Sequence, residues 1–152
     1  MEETIDLDKE FDRELALRIG RVALSASECE GQLIELLVLT HELDSESAFS
    51  FCALPPNYQR TGEPLAKSLA KRLSDTHSHI AARYRELSQH RNAIIHSAWL
   101  GGDQWLCGFQ YDKEGTAVRS KVTFESLDSL ATHLVDLRRK TDHVISDLMG
   151  LH

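Results

Sequence analysis

Cysteine is scarce in this chain of 152 residues, and the three it has do not form an obvious pair. Cys29, Cys52 and Cys107 are odd in number, widely spaced and contain no Cys-x-x-Cys unit, which argues against a disulfide framework and against a thiolate zinc site. They read as reduced, structural thiols. Proline is confined to Pro55, Pro56 and Pro64, and the adjacent pair excludes a helix running through it. No apolar run approaches the length of a bilayer span, and Met1 to Asp12 is acidic rather than basic and apolar, so no membrane association and a cytoplasmic location are expected. A phosphate-binding glycine loop and a Ser/His/Asp triad signature are both missing, and so is any internal repeat.

Positive charge is also in short supply. The formal net charge is −7, whereas a domain that grips nucleic acid by its backbone is usually basic. Any RNA contact must therefore be local and transient, as an enzyme's can be. The most basic sector is Lys67, Lys71, Arg72, Arg83, Arg85 and Arg91, most of which reads as solvated helix surface.

What is present is helical patterning. With 41% hydrophobic and 27% charged residues the chain has the balance of a globular domain, and its length fits one domain, residues 1–152, around one core. From about Leu7 to Leu43 the residues Phe11, Leu15, Ile19, Val22, Ala26, Cys29, Leu33, Leu36 and Leu37 keep helical spacing, as one helix or as two broken near Gly20 or Gly31. The apolar run from Leu33 to Leu39 implies deep burial or a partner surface. Glu28, Glu30 and Glu35 in this helix read as solvent-facing, with Glu28 or Glu35 able to pair inward with Arg91. Residues from Asp44 to Pro64 read as a linker. Leu65, Leu69 and Leu73 mark a short helix that ends near Ser74-Asp75, a pair suited to capping the next.

That next helix runs from about Thr76 to Ala98. Gly101-Gly102-Asp103 stops it. His77 and His79 are two apart, face different ways on a helix and make a poor metal pair, so neither a metal nor any other cofactor is expected. Trp105 to Tyr111, a turn at Asp112 to Gly115, and Thr116 to Thr123 read as a β-hairpin whose aromatics pin it to the helical body, or offer bases a stacking platform. Thr123 or Ser126 caps a final helix reaching about Met149, with Arg138-Arg139-Lys140 as a solvated interruption of its apolar stripe. The expected fold is all-α, an antiparallel bundle of about four helices with a small β-hairpin inserted before the last.

One stretch carries chemistry: Arg91-Asn92-Ala93-Ile94-Ile95-His96, at the end of the motif helix. Asn92 and His96 are four apart and share a face. Arg91 lies about 140° round the axis from His96, within reach of a long side chain. An arginine followed by a polar residue, four to six positions before a histidine on a late helix, is the signature of the HEPN superfamily, and this segment resembles it without a gap. Ser97, Ala98 and Trp99 follow with small or aromatic side chains.

The resemblance implies a small all-α domain and, in many members, a metal-independent ribonuclease. RNA carries its own nucleophile in the 2′-hydroxyl. His96 would take that proton, Arg91 would stabilise charge on the phosphorane-like transition state, and Asn92 would orient the imidazole or donate to a phosphate oxygen. The products would be 2′,3′-cyclic phosphate and 5′-hydroxyl ends. It further implies a homodimer whose two motif helices build one composite cleft, a defence or toxin-antitoxin setting, and a regulatory protein partner. The alternative it carries is a non-catalytic dimeric interaction or scaffold module, with Arg91 paired to an internal carboxylate and His96 in the core.

Overall fold

The computed structural model describes the backbone of residues 10–40, 70–95, 98–101, 106–111, 114 and 117–151, and the side chains of residues 13–40, 70–95, 114 and 122–151. Three long helices dominate: α1 (Glu10–Thr40), α2 (Ser78–Ile95) and α3 (Phe124–Leu148). Between α2 and α3 run three short strands, β1 (Ala98–Gly101), β2 (Leu106–Tyr111) and β3 (Ala117–Val122). They form an antiparallel sheet in the order β1-β2-β3, with Ala98 opposite Phe109 and Leu106 opposite Val122. The linker over Asp44 to Pro64 and the side chains of the strand aromatics lie outside the described residues.

α1 is one continuous helix through both glycines. Its inward stripe, Val22, Ala26, Cys29, Leu33, Leu36 and Leu37, is fully or almost fully buried, so the apolar run from Leu33 is core. Each of these leucines contributes about 1.5–3 kcal/mol by leaving water, several times the cost of one exposed glycine. α2 sends Ala81, Tyr84, Leu87 and Ile94 into the same core, and α3 adds Leu127, Leu130, Leu134, Leu137 and Ile145. A helical stretch over 70–73 contributes the buried Leu73.

Side-chain bonds give the helix directions. Arg18 of α1 donates through Nε to Asp128 of α3 at 3.3 Å, and Arg138 of α3 donates to Glu28 of α1 at 2.7 Å. Both pairs are separated by 110 residues, so α1 and α3 run parallel in a constant register. Arg18 also lies over the Phe124 ring, 4.4 Å from its centroid, and bonds Glu14 one turn back. α2 runs the other way: Thr40 meets His77 at its start, while Glu30 meets Tyr84 and Arg91 further along. Arg138 is thus an α1–α3 tie and not the purely solvated residue read from its triplet.

Helix ends follow local chemistry. Thr123 caps α3, and Thr123 and Ser126 exchange side-chain-to-backbone bonds in a capping box. At the other end Gly150 takes φ +69°, Leu151 N–H donates to Ser146 O, and Gly150 N–H to Asp147 O, a Schellman closure. α2 departs from its expected limits. It starts at Ser78, and Ser74 does not cap it, because its hydroxyl donates backward to Lys71 O. It is described through Ile95, and Ala98, expected at its end, lies in β1, because Ala98–Gly101 finds a ladder partner in β2.

Two outcomes test this frame. An added Cβ at Gly20 or Gly31 meets nothing within 4 Å. Gly20→Ala and Gly31→Ala are each expected to raise the free energy of unfolding by about 0.5–1 kcal/mol, measured by urea denaturation.

His77, whose Nε2 lies 3.1 Å from Thr40 Oγ1, has its pKa lowered by burial. A neutral imidazole is thus favoured in the fold. The unfolded chain binds the proton more readily, so this contribution is present above the ordinary histidine pKa and is lost as pH falls through the depressed folded value. His77→Gln, which retains a polar end toward Thr40, should lose less stability than the wild type between about pH 7 and about pH 5, read from urea midpoints.

Candidate functional site

The last turn of α2 holds Arg91 and Asn92, and His96 lies outside the described residues. Helical spacing turns Tyr84, Ser88 and Arg91 toward α1, and all three are buried. Arg91 is only 9% exposed. Its Nη2 donates to Glu30 Oε1 at 3.0 Å, and Tyr84 Oη donates to the same oxygen at 2.8 Å. One carboxylate oxygen therefore receives a guanidinium and a phenol inside the α1–α2 interface. The side chains of this pair retain only 11% exposure on Arg91 and 14% on Glu30.

The partner differs from the two carboxylates expected for it. Glu28 is taken by Arg138, and Glu35 is exposed. Glu30 is the one that sits on the inward stripe, four after Ala26, three before Leu33 and seven before Leu37, all buried. That spacing was the available signal, since a carboxylate in register with three core positions must have a cation or donors waiting for it.

The same carboxylate governs its neighbours. Burial, and then the adjacent Glu30 charge, push the Tyr84 hydroxyl well above the ordinary phenol range, so it remains a donor. Burial and Glu30 likewise push the Cys29 thiol up to about 12, against a smaller opposing effect of Arg138. Cys29 is a buried, free thiol with no nucleophilic character at neutral pH. The polar bonding is incomplete on the motif side: Arg91 Nε and Asn92 Oδ1 are buried and have no hydrogen-bond partner.

The opposite face of α2 forms a second feature that sequence reasoning missed. Between α2 and α3 lies a cavity of about 470 Å³ lined by Arg83, Glu86, His90, Ile94, Ser126 and His133 among others. An adjoining cavity of about 320 Å³ shares Arg83 and His133 and adds Asp136, Arg139, Lys140 and His143. The basic sector expected around Lys67 to Arg91 is thereby split. Lys71 and Arg72 are exposed on the short helical stretch, Arg91 is internal, Arg83 faces the groove, and Lys67 lies outside the described residues. Among the described residues no group of three or more His, Cys, Asp or Glu has metal-holding geometry, and no helix is long and apolar enough to cross a membrane.

Arg91→Ala is expected to destabilise the fold by about 3 kcal/mol in urea denaturation, because Glu30 is left as a mostly buried charge with Tyr84 as its remaining donor. Adding Glu30→Gln to that variant should recover part of the loss, whereas additive costs would remove the ion pair from the account of stability. Compared with protein-family models, curated proteins and solved structures, the chain matches none of them.

Proposed function

We propose that this chain is a HEPN-like, metal-independent endoribonuclease acting as a homodimer, in a defence or toxin-antitoxin setting with a regulatory protein partner. The observation that carries the reading is the end of α2. Arg91 and Asn92 occupy its last turn, with His96 the first residue past it in sequence. Glu30 holds the Arg91 guanidinium by one nitrogen, while Nε and Asn92 Oδ1 have no partner. A cation oriented by a carboxylate suits a site in which negative charge grows on phosphorus in the transition state.

In this mechanism His96 accepts the 2′-hydroxyl proton, the 2′-oxygen attacks phosphorus in line, and the 5′-oxygen departs, taking a proton from water or from the second His96 of the dimer. The nucleophile belongs to the substrate, so the reaction calls for no metal. Arg91 Nε is the donor assigned to a phosphate oxygen, which requires the last turn of α2 to open toward the substrate. Leu17 and Leu24, a heptad apart on α1 and each more than half exposed, offer apolar surface for a second copy.

The burial of Arg91 favours a second reading, a non-catalytic dimeric HEPN-like interaction or scaffold module in which the Glu30–Arg91 pair is purely internal. Cleavage of total RNA in EDTA, with ends mapped, separates the two. The ribonuclease reading expects cutting that leaves 2′,3′-cyclic phosphates and disappears in His96→Ala. No cutting by a folded, dimeric wild type gives the protein to the scaffold reading.

A further inference from the structure

The groove between α2 and α3 is chemically graded along its length. Toward the C-terminal end of α2 its walls are apolar, from Leu87, Ala93, Ile94, Val122 and Leu130, with Ser126 and Ser129 at the lip. Toward the other end they are charged, from Arg83, His133, Asp136, Arg139, Lys140 and His143. Across both cavities α2 presents Arg83, Glu86 and His90, and α3 presents His133, Asp136, Arg139, Lys140 and His143.

Three fixed cations thus face two carboxylates and three imidazoles, in a chain whose overall formal charge is −7. Each carboxylate is paired with one of these cations: Arg83 donates to Glu86 at 2.7 Å, and Arg139 stands 3.9 Å from Asp136, so the lining carries a surplus of one fixed positive charge, three cations against two carboxylates. Glu86 is held below the usual carboxylate range chiefly by Arg83, with His90 and His133 adding to the pull, so both imidazoles lie within the field of one carboxylate. A concentration of cations and histidines in a trough, on an otherwise acidic molecule, is a local anion site rather than a general polyanion surface.

We propose that this groove binds the backbone of single-stranded RNA, with phosphates on the Arg83–Arg139–Lys140 end and a base laid over the Ala93–Val122 end. The inference rests on the ribonuclease reading for its choice of polyanion. The adjoining cavities are of the size that takes small-molecule and nucleotide-sized groups. An unstacked base suits an apolar wall, and phosphates suit the guanidinium forks. The apolar end is also the end of α2 that precedes His96 in sequence. The groove lies on the face of α2 turned away from the Glu30–Arg91 pair, and binding there does not require that pair to open.

The test is fluorescence anisotropy of an end-labelled oligouridylate titrated with the full chain carrying His96→Ala, so that no cleavage intervenes. Binding is expected to weaken steeply between about 50 and about 200 mM salt, and Arg139→Glu/Lys140→Glu should reduce affinity by about tenfold or more. Lys71→Glu/Arg72→Glu makes the same change in net charge off the groove and should move affinity less than about threefold. Equal losses in the two double variants, unchanged binding in Arg139→Glu/Lys140→Glu, or no binding at all by the His96→Ala chain would each overturn the proposal. Because the readout is binding, a groove that binds in a protein whose wild type cuts nothing sinks the ribonuclease reading alone.

Discussion

A single carboxylate oxygen, Glu30 Oε1, sets the terms for the interface between α1 and α2. It receives the Tyr84 hydroxyl and the Arg91 guanidinium in a space that leaves each ion-pair side chain only a tenth or so exposed. Removing two charges from water costs several kcal/mol per ion before attraction and hydrogen bonds repay it. The arrangement is therefore only as good as its geometry, and α2 must lie in one register against α1 for both donors to reach. The ion pair adds this geometric requirement to the packing of the leucines.

α2 sits between two chemically different surfaces. Its α1 face is sealed, with Tyr84, Ser88 and Arg91 buried, while its α3 face lines a groove bordered by arginines, a lysine and histidines. The polar residues near the end of α2 are divided by this. Arg91 goes inward, and His90, its immediate neighbour, goes to the groove. Adjacent residues on a helix differ by about 100° in direction, which is enough to place them in separate environments once both faces are covered.

Charge distribution follows the same logic. The parallel pairing of α1 and α3 is tied by Arg18–Asp128 and Arg138–Glu28, at the surface and in a constant register. Exposed pairs of this kind contribute little stability individually, but they use up acidic groups on one side of α3. On the other side Arg139 and Lys140 face the groove with His133 and His143. Among the described residues of this acidic chain, the α2–α3 groove thus keeps a small surplus of fixed positive charge, because the helix directions sort the charges by face.

Much of the helical frame was legible from periodicity. The α1 stripe, the α3 stripe and the Thr123/Ser126 cap were all written in residue spacing, because burial of one face and satisfaction of the first backbone N–H groups are local requirements. The continuity of α1 through Gly20 and Gly31 was less legible, since the cost of two exposed glycines is set against core burial that only the packed helix supplies. Spacing reads Ala98 as the end of α2, and it lies instead in β1, because its strand partner is in β2, a contact that residue spacing does not reveal. Spacing marks Glu30 as the inward-facing carboxylate of α1, but giving it Arg91 as its partner, and grouping Arg83, His133, Arg139 and Lys140 around one groove, required knowing which helices touch and in which direction. Residue order settles which face a side chain occupies; only the meeting of faces settles what it meets, because pairing energies act through space between residues far apart in the chain.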